Sequence, residues 1–495
     1  MGIINIKKWI WYIFPGMGLT ASILGIFMLA PSDTNGSFNR AILIIAAVYL
    51  VYVIYACIEA EKDELNPFGE SLKRAIWILV FVTAAGIILR VLIGLAVPGY
   101  PADMSCWTAW SQAAAGEGLF NVYENTPFLD YPPGYLYILH LLGTMGNILG
   151  IEPLTPAYNL ILKIPAILAD LGMVWIIFII GKKRSNLKLG VLLAILYSIN
   201  PLTILNSAAW GQIDSILTLA VAAYLILLYR EKIFWASIVF TVGLLLKPQM
   251  LFFGPVLAVV FIKYVAKSGF VSGVRTLFAG LGGGLALFVL VVLPFSIGKE
   301  WTWILSKYMG TINSYPYATL NAANLFGLLQ MNWKPIETEL LGVPLSTWGM
   351  AGLIFSISVY FVLSFINRNK ANIFLLASML MTGLYTLGHK MHERYLFPIM
   401  AILVIGILYQ ENKEELPVYG LISAAIFVNV AQVLAVIHIP PDDILFRASS
   451  LAVIVSYVMM LTVSVIRCVK SSREPEEIFT EDTGESQELS DPADS

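Results

Sequence analysis

Apolar runs recur along the whole chain, near 8–30, 41–60, 75–97, 157–181, 189–206, 212–229, 233–247, 250–265, 274–296, 347–366, 372–388, 395–409, 416–437 and 447–466. No other feature restricts the fold so tightly. Inside a bilayer every backbone N–H and C=O must be satisfied by the chain itself, which leaves only helices or a closed barrel. Runs approaching the ~20 residues of a straight helical span point to helices. The sequence therefore predicts an all-α polytopic membrane protein of about fourteen spans, and a mean hydropathy of +0.79 with 13% charged residues agrees with it. The run 8–30 is too long for a signal peptide and lacks a small-residue cleavage site, so it reads as a retained first span.

The run 134–150, "GYLYILHLLGTMGNILG", decides the topology, because counting it as a span reverses every later loop. Charge settles the choice. With 134–150 lying along the interface, one side receives Lys7, Lys8, Lys73, Arg74, Lys182, Lys183, Arg184, Arg230, Lys232, Lys263, Lys267, Arg368, Lys370, Arg467 and Lys470. The other side receives a loop, 98–156, with no Lys or Arg at all. Positive residues stay cytoplasmic, so both termini are expected in the cytoplasm of a cell membrane and the loops 98–156 and 297–346 outside.

Four regions follow: two added spans in 1–74, a core over 75–410, further spans in 411–472, and an acidic tail, 473–495, expected to be disordered. A net charge of −2 gives no field for nucleic acid, and three scattered cysteines give neither a disulfide framework nor a thiolate metal site. There is no glycine-rich nucleotide motif. Chemistry is left to the membrane domain and its two long outer loops, both rich in aromatics and prolines.

Several ionisable groups fall where the charge pattern disfavours them. "HKMHER" places His389, His392 and Arg394 at the outer mouth of the span 372–388. Cations on the translocated side suit phosphate recognition, the alternative being a solvated connecting loop. Lys247 of "LLLKPQM" follows an apolar run of 14 residues from Lys232, too short to carry it to the outer surface. Pro248 then breaks the helix, which suits a cavity lining, although a lysine snorkelling at a helix end accounts for the same spacing. Asp103 follows the third span, and Asp130 precedes "YPPGY", where Tyr131, Pro132 and Pro133 fix an extended approach to the next helix. A carboxylate beside cations suggests a base facing an electrophile; Asp130 has capping as its plainer role.

In "NSAAWGQIDS", Trp210, Gln212 and Asp214 combine a stacking surface with hydroxyl-binding groups, as a sugar site needs and as an interfacial aromatic belt also provides. Lys163 and Asp170 share one helix face and read as a buried supporting pair. His389 and His392 with one neighbouring glutamate make a weak metal set, and no Asp-x-Asp occurs in the first loop, so neither metal nor cofactor is expected.

"FLDYPPGY", "NSAAWGQIDS", "KPQM" and "HKMHER" occur in an order that resembles the GT-C fold glycosyltransferases over roughly residues 75–400. The nearest likeness is to the dolichyl-phosphate-glucose-dependent glucosyltransferases of lipid-linked oligosaccharide assembly and their bacterial relatives. The resemblance implies a hexosyltransferase that moves a sugar from a polyprenyl-phosphate donor to a hydroxyl of a lipid-linked glycan, envelope glycan or protein at the outer face. On that likeness Asp103 is the base, Lys247, His389, His392 and Arg394 hold the donor phosphate, and Trp210, Gln212 and Asp214 hold the sugar. Asp130, Tyr131, Pro132 and Pro133 shape the site. A transporter or flippase of polyprenyl-linked glycans is the main alternative, and a structural or assembly protein of an envelope complex a third.

Overall fold

The computed structural model describes residues 36–61, 72–184, 186–410 and 413–473. The first run, 8–30, and the acidic tail beyond Arg473 lie outside the described residues. What is described is almost wholly helical, with two strand pairs of two residues each, so this is an all-α polytopic membrane protein.

Nine helices among the described residues are long and apolar enough to span a bilayer: Asn39–Ala60, Leu72–Ala96, Pro156–Lys183, Pro248–Ser268, Phe270–Ser296, Leu345–Ile366, Lys370–Leu387, Lys413–Val436 and Ile444–Arg473. A tenth forms if Leu187–Ser198 and Pro201–Trp210, bent by 48°, count as one. Asp214–Tyr229, Ile233–Leu246 and Ile399–Gln410 are apolar but shorter. Full-length helices among the described residues therefore number fewer than the fourteen expected. Lys370–Leu387 and Lys413–Val436 are 89% and 83% buried across their apolar windows, while Phe270–Ser296 is only 17% buried, so the former sit in the core and the latter at the rim.

The bend has a chemical cause. Pro201 has no N–H to donate, and Asn200 before it caps Leu202 N at 2.9 Å. The Ser198 carbonyl near the break accepts from Arg90 Nη2 at 3.2 Å. Lys163 and Asp170 are both fully buried but do not pair with each other. Asp170 faces Arg90, Nε to Oδ2 3.7 Å, and accepts from Tyr197 OH at 3.3 Å, whereas Lys163 Nζ donates to the carbonyls of Gly94 and Val97. Sequence spacing placed both on one stripe without revealing Arg90 from the neighbouring span.

Polar residues sort to two ends. At one, Glu231 takes Lys267 and Lys370, Lys263 Nζ donates to Asn367 O, Arg184 to Tyr409 O, and Arg467 pairs with Glu415. At the other, 98–156 folds into the helices Pro101–Gly116 and Pro133–Ile148. These two pack where Gly143 meets the Ser111 carbonyl, and they dock on the span Pro156–Lys183 through Tyr158, whose hydroxyl bonds Ser111 Oγ at 2.8 Å and Gln112 Nε2 at 2.7 Å. Pro133–Ile148 is not among the helices fit to span. The strand Thr319–Leu320 runs parallel to Met391–His392, tying the second long loop to the segment that holds "HKMHER".

Candidate functional site

The site begins at the end of the bent pair. Leu205–Trp210 widens into a π-helical turn, and the Asn206 carbonyl accepts from both Gly211 N (3.0 Å) and Gln212 N (2.9 Å). Gly211 has φ 88°, and a Cβ there would lie 2.7 Å from Lys163 Cγ, so a residue without a side chain is required. This turn aims Trp210 and Gln212 at the start of Pro101–Gly116. Asp103 Oδ2 accepts from Trp210 Nε1 at 2.8 Å and from the Gln212 amide. Tyr100 stacks on the Trp210 ring with centroids 4.9 Å apart.

Two cations sit beside this group, each already matched. Ile233–Leu246 ends at Lys247, which is extended, and a 3-10 turn Pro248–Phe253 follows. Since Pro248 has no N–H, the Leu244 carbonyl four residues back loses its helical donor, and Tyr308 OH donates to it instead at 2.9 Å. Lys247, 3% exposed, places Nζ 2.5 Å from Asp214 Oδ1 and 3.5 Å from Gln212 Oε1. Arg394 sets Nη1 2.5 Å from Glu393 Oε1, Nε 3.7 Å from Asp214 Oδ2 and Nη2 4.0 Å from Asp103 Oδ2, with its plane 5.2 Å from the Trp210 ring centre. Desolvation works against the Arg394 charge, but these carboxylates outweigh it and hold its pKa well above the usual value.

A cavity of about 160 Å³ opens above this layer. Asp103, Lys247, Arg394 and His392 line it, with Asp130, Tyr131 and Pro132 across from them. Aromatic rings from Trp107, Trp110, Phe128, Tyr315 and Tyr395 complete the wall. Desolvation pushes the Asp130 carboxyl up from its ordinary range, and the Asp103 charge adds to that. The His392 imidazole is held well below its ordinary value, first by burial and then by Arg394 and Lys247, so it is neutral. Tyr315 meets it edge-on at 5.2 Å.

Trp210, Gln212 and Asp214 lie beneath the cavity wall and do not line it, and Tyr131 OH reaches Gln212 Oε1 at 3.5 Å. His389 is turned away, packed against Gly349 in the span Leu345–Ile366. Pro133 starts the helix Pro133–Ile148, whose cap position is Pro132, with no side-chain cap from Asp130. Residues not singled out from sequence include Glu393, Tyr100, Gln249 and Tyr315. Glu393 stood inside the quoted motif and its pairing was readable as a neighbour charge; Trp107 and Trp110 stand at i, i+3 in "CWTAW", a visible face; Tyr315 carried no local signal.

Fold and site together define a multi-pass membrane protein with a polar, internally charge-matched cavity at one end of its helix bundle. No curated protein matches the chain. Residues 114–322 match the family model of GPI transamidase subunit PIG-U, a segment that is fewer than half of the 495 residues. It takes in Asp130, Tyr131, the Trp210 turn, Lys247 and Tyr315, and leaves out Asp103 and Arg394. This match overturns the likeness to polyprenyl-phosphate-sugar glycosyltransferases, and with it the expected hexosyltransferase activity, sugar donor and glycan acceptor. Of the four residues expected to hold a donor phosphate, Lys247 and Arg394 are paired with Asp214, Glu393 and Asp103, and His389 is turned away from the cavity.

Proposed function

We propose that this chain is a membrane subunit of a complex of the GPI transamidase kind, and that its cavity holds the polar head of that complex's lipid substrate. The observation that carries the reading is that the matched segment, 114–322, supplies about half of the cavity's walls, Asp130, Tyr131, Lys247 and Tyr315 among them. Asp103, Asp130 and Tyr131 face the headgroup; Lys247, Arg394 and Asp214 form the charged floor that keeps Trp210 and Gln212 in place. His392 closes one side, Pro132 and Pro133 set the approach of the first loop, and the cavity's own side chains do this without a metal or cofactor.

The reading includes a membrane domain of about fourteen spans. The bent pair and the three short helices would join the nine long ones among the described residues, and the apolar run 8–30 of the sequence lies outside them. The end that gathers Lys263, Lys267, Lys370 and Arg467 then faces the cytoplasm and the cavity the opposite side. The test is purification of the full chain from its native membrane in mild detergent. A stoichiometric assembly with transamidase activity is expected; a chain that purifies alone, from membranes whose lipid-anchored proteins are unaffected by its deletion, overturns the reading.

A further inference from the structure

Lys163 is fully buried in the span Pro156–Lys183, outside the cavity lining and the charged floor beneath it. An ammonium is costly to bury in a helix that crosses hydrocarbon, so its partners indicate what holds it there. The span Leu72–Ala96 runs into "GLAVPGYP", where a continuing helix would have the carbonyls of Gly94 and Val97 accept from residues 98 and 101. Both are proline and have no N–H. Lys163 Nζ supplies the missing donors, 3.3 Å from Gly94 O and 2.5 Å from Val97 O, and its charge faces the negative end of that helix. Asp170, two turns along the same face, is left to Arg90.

The stem of Lys163 makes a second contact. It lies against the Gly211 turn, where a Cβ would come within 2.7 Å of Cγ and 3.4 Å of Cε. One side chain thus touches both segments that converge on Asp103, the end of the span that leads into the helix Pro101–Gly116 and the turn that carries Trp210 and Gln212. The link between span and helix, 97–100, is short and its φ angles are restricted at Pro98 and Pro101. A shift of the Val97 carbonyl therefore passes to Asp103 with little give. The two backbones also meet directly, since a Cβ on Gly99, at φ 98°, would lie 2.9 Å from Trp210 O.

We propose that Lys163 is a positioning residue for the cavity floor, its ammonium fixing the end of the span Leu72–Ala96 and its stem seating the Gly211 turn, so that Asp103 meets Trp210 and Gln212 in one geometry. The role follows from the fold, whatever the cavity binds. A lysine that did no more than satisfy a helix end would add stability and leave that meeting unchanged.

The full chain is labelled with 5-fluorotryptophan and followed by fluorine NMR in detergent, with the resonances of Trp210 and Trp175 assigned through Trp210→Phe and Trp175→Phe. Trp175 lies on the same span as Lys163, about 18 Å along it, and reports on that helix. Lys163→Met keeps most of the apolar stem and removes the ammonium. It is expected to displace the Trp210 resonance by more than its linewidth and to leave Trp175 in place. Should that variant fail to fold, Lys163→Gln, which keeps an N–H donor but loses the charge and one atom of reach, is expected to displace the same resonance. A Trp210 resonance left in place in the folded variant, whatever its melting temperature, or Trp210 and Trp175 displaced together, overturns the proposal.

Discussion

Asp130 makes the stability of the fold depend on pH. Its folded pKa lies above the unfolded one, so the folded state favours the protonated carboxyl and loses stability as pH rises through that raised value. Asp130→Asn is neutral at every pH. Its melting temperature should exceed that of the wild type at neutral pH, and the gap should close as pH falls below the ordinary carboxylate range; a constant gap would mean that Asp130 is not desolvated. Lys247 behaves differently. Lys247→Met leaves Asp214 with only the longer contact to Arg394, and breaking a buried pair commonly costs ~3–5 kcal/mol. Adding Asp214→Asn should recover part of the loss in thermal unfolding, whereas additive losses would show that the two do not act as a pair.

At the scale of elements, the break at Pro248 couples a span to the second outer loop. Leu244 O is left without a helical donor and is answered from the helix Trp303–Asn313, by Tyr308. Tyr308→Phe should therefore cost ~1–3 kcal/mol, the range for an orphaned buried polar group. It should also raise hydrogen exchange across 303–313, and unchanged exchange there would disconnect the two elements. Thr311 Oγ1, on the same helix, donates to Asp130 O at 3.1 Å, so loosening 303–313 should reach the cavity. Gly211 offers a sharper probe of the turn beneath. Gly211→Ala meets both a positive φ and Lys163, and strain of ~1–3 kcal/mol is expected, read as a lower melting temperature and displaced Trp210 fluorescence.

Across the whole molecule, the separation of a basic end from a cavity end predicts sidedness. In a background without Cys57, Cys106 and Cys468, a cysteine at the exposed position of Glu117 should react with an impermeant reagent from outside. One at Lys183 should react only after permeabilisation. Labelling of both from the same side would make the helix Pro133–Ile148 a true span and reverse the arrangement. The basic end owes its cohesion to contacts between distant segments, Glu231 with Lys267 and Lys370 for one, which no local pattern announces.

Sequence alone determined the class of fold, because hydrocarbon forbids unsatisfied backbone and long apolar runs therefore declare themselves as helices. It also placed Lys247 and Arg394 near one another in expectation, since charges against the hydropathy pattern stand out one at a time. Whether those charges are free is a different kind of fact. Asp214 lies 33 residues from Lys247 and 180 from Arg394 along the chain, so their mutual neutralisation is created only when the bent pair, the broken helix at Pro248 and the segment 388–396 meet. Tertiary structure alone turned His389 away from the cavity and brought Tyr315 into it. It alone set Asp130 beside Arg394 and Lys307 without a direct ion pair among the described residues, because electrostatic pairing depends on distance in space, which these loops settle by packing.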